Sequence, residues 1–318
     1  MSTTEAQDAR PADPRPVNRP PRRSKAEVNG WLVLDKPVGM TSTHAVGRLK
    51  HMFNAKKAGH AGTLDPLASG LLPIAFGEAT KTVPFVQDGA KSYRFRIRWG
   101  VKTDSDDTEG EVVATSDLRP TREQIEALLP SFLGTIMQRP PAYSAIKVNG
   151  ERAYDRAREG EVFELAARPI TIHALDLIEC SVDEAVLEAH CGKGTYVRAI
   201  ARDLGDALGC LGHVNALRRT RVGPFLEADG AVLPGEGEDP AAFTGQLRRV
   251  EAGLGEVPHV DIVRQDAARL RRGQALILRG RDAPAEGMAW ANCGGTVVAF
   301  GPVEQGALQP YRVFNLPF

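Results

Sequence analysis

In Ser92–Trp99, SYRFRIRW, the residues Tyr93, Phe95, Ile97 and Trp99 alternate strictly with Arg94, Arg96 and Arg98. Successive side chains of a β-strand point to opposite faces, so this period of two prescribes a half-buried strand. Its aromatic face turns inward and its arginine face outward. The arginines read first as a solvated face and only second as contacts to RNA.

Other stretches supply further elements. Trp31–Leu34 (WLVL) is a buried strand closed by Asp35-Lys36-Pro37 and Gly39. Thr41-Ser42 caps a helix in which Ala45, Val46, Leu49 and Phe53 recur at helical spacing, to about Asn54. Glu78–Gln87 reads as one short helix. Thr121–Leu129 is a helix capped by Thr121 with Gln124. Pro169–Cys191 reads as two antiparallel strands. Gly192 and Gly194 then form a turn, and Thr195 is placed to cap a helix whose stripe is Val197, Ile200, Leu204 and Leu208. From about Val257 the chain changes to short β-like runs (VDIV, ALILRG, MAWAN, GTVVAF, YRVFNL), which suggest a small barrel or sandwich. Met1–Lys25, rich in Pro, Arg, Asp and Ala, is expected to be a disordered tail, and Pro234–Asp239 a linker-like acidic stretch.

One carboxylate lies in a setting that suggests chemistry. Gly59–Lys81 reads GHAGTLDPLASGLLPIAFGEATK. Gly59, Gly62 and Gly70 surround Asp65, Pro66 follows it, and the turn runs into the apolar Leu71–Phe76. Asp65 would sit on a sharp loop braced by core, a good platform for a reactive group. An Asp-Pro pair in such a loop is also a common turn or cap.

Composition excludes more than it assigns. The chain has 318 residues, 42% of them hydrophobic and 25% charged, an ordinary globular balance sufficient for about two domains. No apolar run approaches the ~20 residues of a membrane helix, and no secretory h-region opens the chain. The four cysteines form no CxxC pair, so neither zinc nor a disulfide framework is expected. Forty basic residues balance forty acidic ones, so bulk charge does not indicate nucleic acid. Lys193–Val222, with six Lys/Arg against two Asp, leaves room for a local basic face. Two motif-like strings fail. Thr103–Gly110 (TDSDDTEG) lacks the Gly and Glu that an EF-hand loop needs, and GKGT at Gly192–Thr195 lacks the earlier Gly of a P-loop.

Four strings in order, GHAGTLDPLASGLLP with GEATK, QRPPAYSAIK (Gln138–Lys147), CGKGTYVR (Cys191–Arg198) and HVNALRRTRVGPF (His213–Phe225), resemble the bacterial tRNA pseudouridine-55 synthases of the TruB-type family. LDKPVGMTS resembles the start of their fold, and TDSDDTEG fits their TDTxDxxG turn, read here as structural. The resemblance implies an α+β pseudouridine synthase fold: a mixed, mainly antiparallel sheet flanked by helices, with a small C-terminal β-rich PUA-like RNA-binding domain. Residues 1–27 would be the tail, 28–250 the catalytic domain and 255–318 the PUA-like domain. The implied activity is isomerisation of uridine to pseudouridine in the T-loop of tRNA, by base flipping and without a cofactor or metal. Asp65 would be the catalytic carboxylate, Arg198 its paired cation through a bidentate contact, and Tyr93 the ring stacked on the uracil. His60 would fill the gap left by the flipped base, Leu217 would close the pocket, and Lys81 and Tyr196 would support the charge network. The basic segment after Lys147, to about Pro169, would clamp the RNA. The family further implies a cytoplasmic monomer that needs no guide RNA, protein partner or membrane.

Overall fold

The computed structural model describes residues 24–144, 146–148, 150–161, 163, 165–235, 243, 245–278, 284 and 286–317. The expected N-terminal tail falls almost entirely outside the described residues, as does most of the acidic stretch before Pro240. In chain order the strands of the first module are β1 Gly30–Lys36, β2 Ala58–His60, β3 Ala68–Phe76, β4 Lys91–Trp99, β5 Val101–Thr103, β6 Val112–Thr115, β7 Gly134–Gln138, β8 Lys147–Val148, β9 Glu151–Arg152, β10 Arg168–Cys180, β11 Glu184–Cys191, β12 Gly212–Val222, β13 Phe225–Leu226 and β14 Ala231–Val232. Its helices are α1 Ser42–Met52, α2 Val83–Asp88, α3 Arg122–Leu128, α4 Ala153–Arg158 and α5 Val197–Ala207.

Ten of these strands form one sheet among the described residues, in the order β14-β1-β3-β12-β4-β11-β10-β7, with β2 on β3 and β13 on β12. Only β14 on β1 and β12 on β3 are parallel pairings. The alternating strand β4 lies between β11 and β12, with Tyr93, Phe95, Ile97 and Trp99 buried and Arg94, Arg96 and Arg98 exposed. Its arginines face glutamates on β11: Arg94–Glu188 at 2.9 Å, Arg96–Glu184 at 3.7 Å and Arg98–Glu184 at 4.0 Å. Cross-strand pairs of this kind support a solvated sheet face.

The sheet is covered on both sides near β1 and β3, which explains why those strands are apolar without alternation. Leu32, Leu34, Leu72 and Ile74 pack on one side with Leu49 of α1 and Ile200 of α5. Trp31, Val33, Leu71 and Ala75 pack on the other with Trp290, Val297, Phe300 and Phe314 from the C-terminal module. That module is a six-stranded sheet of β15 His259–Asp261, β16 Leu276–Ile277, β17 Gly287–Cys293, β18 Thr296–Glu304, β19 Ala307–Leu308 and β20 Arg312–Val313, with helix Arg264–Arg271 against it. The two modules therefore share an apolar cluster. The segment between them is itself packed: Arg248 exchanges backbone hydrogen bonds with Trp31, and a Cβ on Gly253 would lie 2.4 Å from Trp31 Nε1.

Two local expectations are corrected. Glu78–Gln87 is not one helix: a 3-10 turn, Gly77–Lys81, precedes α2. Pro84 lacks an N–H donor and sits in the first turn of α2, so the helix restarts there. Between them the Thr82 hydroxyl donates to Ala79 O at 2.9 Å and accepts from Trp31 Nε1 at 3.1 Å. Thr195 does not cap α5; Tyr196 is the N-cap residue. The Gln138 side chain holds it instead, accepting from Tyr196 N at 2.9 Å and donating to Tyr196 O at 3.1 Å.

Candidate active site

Asp65 lies on the loop between β2 and β3. An irregular loop against a core must find partners for its inward carbonyls and amides, and three buried polar side chains supply them. Ser42, at the start of α1, accepts from Leu64 N at 2.8 Å and donates to Leu64 O at 2.9 Å. The Lys36 amine, at the end of β1, donates to Pro37 O and Met40 O at 2.8 Å and reaches Pro66 O at 3.4 Å. Arg219 of β12 donates from Nη2 to Gly62 O at 3.1 Å, from Nη1 to Thr63 O at 3.2 Å and from Nε to Leu71 O at 2.8 Å. Gly62 has φ +101°, a conformation that favours glycine. Gly70, at φ +98°, lets β3 approach β12: an added Cβ would stand 2.3 Å from Arg219 O.

Arg198 projects from the first turn of α5 and is 5% exposed. Its Nε lies 3.1 Å from Asp65 Oδ2. Its Nη1 meets Asp107 Oδ2 at 3.1 Å and Ser105 O at 2.9 Å, and its Nη2 donates to Tyr143 O at 2.8 Å. The expected bidentate grip on Asp65 is thus replaced by a single contact, because the guanidinium is divided between two carboxylates and two carbonyls. Asp107 is buried and Asp65 is about one-third exposed, so the shared cation connects a fixed anion to an accessible one. The TDSDDTEG turn, read from the sequence as structural only, supplies this second anion. It also supplies Asp106, which pairs with Arg202 at 3.0 Å. Burial pushes the Asp106 carboxyl up to about 6 against the pull of Arg202 and Arg198.

Tyr93 and Leu217 are brought to the same place by strand register. Tyr93 stands opposite Ala189 on β11 and Arg219 on β12. Leu217 stands opposite Phe95 on β4 and Ala68 on β3, three residues past Asp65. Burial raises the pKa of the Tyr93 hydroxyl, Arg219 opposes the rise, and Cys191 and Asp65 add to it. The tyrosine, the buried arginine and the loop carboxylate therefore share one electrostatic neighbourhood. Burial also depresses the Lys36 amine to about 8, with Asp65 opposing and Arg219 reinforcing. His60 ends the short strand β2 rather than lying in a free loop, and burial, with Arg219 nearby, lowers its pKa. Burial raises the Tyr196 hydroxyl, with Arg198 opposing and Asp65 reinforcing.

Lys81 is directed elsewhere. Its amine pairs with Glu78 at 2.6 Å, donates to Val313 O at 2.8 Å and lies 5.5 Å from the centre of the Phe314 ring. Glu78 in turn accepts from Asn315 N at 2.8 Å. The 3-10 turn presents this pair to the C-terminal module, so Lys81 ties the modules together. In the basic segment after Lys147, Arg156 pairs with Glu161 at 2.6 Å and lies 4.8 Å from the Phe163 ring; the side chains of Lys147, Arg152 and Arg158 fall outside the described residues.

Residues 50–197 match the model of the N-terminal domain of TruB family pseudouridylate synthases, and residues 198–233 match a tRNA pseudouridylate synthase B C-terminal domain. A curated protein of Rhodopseudomonas palustris named tRNA pseudouridine synthase B is 57% identical over 96% of this chain and 87% of its own length. One of Bradyrhizobium diazoefficiens with the same name is 56% identical over 96% of this chain and 94% of its own. The chain belongs to the TruB family. Among solved structures, a chain of a Cbf5-Nop10-Gar1 complex superposes with a TM-score of 0.67 at 25% identity, over 90% of this chain and 84% of that one. A chain of an archaeal box H/ACA sRNP Nop10-Cbf5 complex gives 0.66 at 22% and shows the same pseudouridine synthase fold. Within this family fold, Asp107, Arg219 and Lys36 are the site residues that sequence reading left out. Period-two alternation held the signal for one of them: Arg219 shares the inward face of β12 with Leu217, and a charge on a buried strand face demands an explanation.

Proposed function

We propose that this protein isomerises uridine to pseudouridine at position 55 in the T-loop of tRNA, with Asp65 as its essential carboxylate. The observation that carries the reading is the partly open Asp65 carboxylate on the single Nε contact of buried Arg198, in a chain that belongs to the TruB family. The reaction breaks the N1–C1′ bond, turns the uracil and joins C5 to C1′. It is redox-neutral and transfers no group to or from a donor, so the chemistry asks for no cofactor. It does require a held carboxylate, a platform for the detached base and exclusion of water.

Each requirement has a residue. Arg198 orients Asp65 through the ion pair between its Nε and the carboxylate Oδ2. The Tyr93 ring is the platform for the uracil, and Leu217 is the opposing wall. A T-loop uridine is stacked and must be flipped out, at a few kcal/mol offset by stacking and phosphate contacts; His60, beside the loop, fills the vacated place. Tyr196 supports the charge network. Lys81, assigned from sequence to the substrate side, acts instead by holding the C-terminal module in place. That module, residues 255–318, is a PUA-like domain that contacts the RNA outside the T-loop, and residues 28–250 carry the chemistry. The protein works as a cytoplasmic monomer without guide RNA or protein partner.

The test is tritium release from tRNA transcribed with uridine labelled at C5, since that hydrogen leaves when C5 bonds to C1′. Purified protein and a bare T-arm hairpin, with no additions, should release one equivalent of tritium per RNA molecule, from the uridine at position 55. No release from either RNA would refute the reading.

A further inference from the structure

Arg219 is a buried cation, 2% exposed, and no carboxylate of a described residue lies within 4.0 Å of its nitrogens. Burying an arginine without a carboxylate is unfavourable unless its N–H groups are satisfied and its charge is used. Three of its five N–H groups are taken by main-chain carbonyls: Gly62 and Thr63 just before Asp65, and Leu71 after it. These contacts span both ends of the Asp65 loop. The same residue is the directly opposed cross-strand partner of Tyr93, which places the two Cβ atoms about 4.5–5.5 Å apart on one face. Its charge is felt by Tyr93, His60, Lys36 and Lys91, in every case against the protonated cation or in favour of the phenolate. Its main chain is locked as well, since Gly70 packs directly on Arg219 O and N. Arg218, the adjacent residue, faces away and serves a different purpose: it grips Asp35 with two hydrogen bonds, at 3.0 and 2.8 Å.

We propose that Arg219 is a positioning residue for the isomerisation: it fixes the Asp65 carboxylate loop and the Tyr93 ring in register with one another. The Asp65 loop leads into β3 and Tyr93 lies on β4, two strands that do not pair with each other and are joined in the sheet through β12. Arg219 is the β12 side chain that bonds the loop and faces the tyrosine. Arg198 orients the carboxylate from the helix side, and Arg219 sets the loop from the sheet side. This inference rests on the reading of the site as a pseudouridine synthase centre.

The experiment compares wild type with Arg219→Lys and Arg219→Ala in thermal unfolding, tRNA affinity and single-turnover rate at saturating enzyme, the last with and without methylguanidinium. A lysine cannot span three carbonyls, so misplacement of the order of 1 Å should lower the single-turnover rate by about 10²-fold. Affinity for tRNA should stay within about threefold, because the residue does not face solvent. Added methylguanidinium should restore a measurable part of the rate to Arg219→Ala and none to Arg219→Lys, whose amine occupies the place. A purely structural role would lower the folded fraction and show no such rescue. A folded Arg219→Lys with a rate within about threefold of wild type overturns the proposal, as does a rate loss that only tracks the unfolded fraction. An inactive wild type on T-loop RNA would instead refute the underlying reading of the site, and this inference with it.

Discussion

Asp107→Asn removes one charge from the Arg198 node with almost no change of shape. Asp107 uses both oxygens: Oδ2 meets Arg198 at 3.1 Å, while Oδ1 accepts from Ser105 Oγ at 2.6 Å and Glu109 N at 2.9 Å. An asparagine has one acceptor oxygen for these donors. If it serves Ser105 and Glu109, its NH2 points at the guanidinium; if it serves Arg198, the turn loses its acceptor. Either orientation sets donor against donor, at about 1–3 kcal/mol, and exchanges a charged hydrogen bond of about 1.5–3 kcal/mol for a neutral one of about 0.5–1.5. Together these amount to about 2–4 kcal/mol, which at this chain length lowers Tm by about 3–6 °C. Arg198 keeps Ser105 O and Tyr143 O but loses the anion that balances Asp65, so it turns toward Asp65 and the carboxylate shifts with it. A displacement of a fraction of an ångström in a reacting group is expected to slow single turnover by about 10–10²-fold. The assay is single-turnover pseudouridine formation at a temperature well below both unfolding transitions, alongside tRNA affinity. A fully folded Asp107→Asn that turns over at the wild-type rate would show that the shared guanidinium does not transmit orientation from Asp107 to Asp65.

Further outcomes follow from the same geometry. Arg198→Lys can satisfy only part of the set Asp65, Asp107, Ser105 O and Tyr143 O, and should lose most of kcat with tRNA affinity largely kept; an unchanged kcat would dismiss the pairing. Gly70→Ala forces φ +98° on an alanine and drives its Cβ to 2.3 Å from Arg219 O, so Tm and rate should both fall, whereas Gly39→Ala, with φ +85° and open space around it, should affect Tm alone. Phe300→Ala empties the shared cluster beside Phe85 (4.8 Å) and Phe314 (5.9 Å) and should destabilise the whole chain by about 3–5 kcal/mol in a single transition; two separate transitions would mean independent modules. Lys36 titrates at about 8 in the fold and at 10.5 otherwise, so between these values the unfolded chain binds more protons. Stability relative to Lys36→Met should therefore rise with pH from about 8 to 10.5, by at most about 1.4 kcal/mol per pH unit, and a flat difference would contradict it.

Much of this was legible in the chain, for identifiable reasons. The alternation of Tyr93–Trp99, the Thr41 cap and the Thr121/Gln124 capping box are local signals, and the structure has the elements they specify. Asp65 stood out because glycine and proline leave few conformations for its loop. What was not legible is long-range. Nothing local says that Arg198 divides itself between Asp65 and a turn more than ninety residues earlier in the chain, near Ser105. Lys81 looks like a site lysine until the C-terminal strand places Val313 O against its amine, 232 residues away. The packing of the C-terminal module on the first is long-range in the same way: Trp31 and Phe300 belong to one cluster, so removing the C-terminal module would strip the covering from β1 and β3 and is expected to cost folding as well as RNA affinity.

The measurement that bears most directly on the central claim is a carbodiimide primer-extension map of an in vitro transcribed tRNA incubated with wild type or with Asp65→Asn. The account predicts a single stop at the T-loop uridine 55 with wild type and none with Asp65→Asn, whose tRNA affinity stays within about tenfold of wild type. A stop produced by Asp65→Asn, or no stop from a wild-type protein that binds the tRNA tightly, would contradict it.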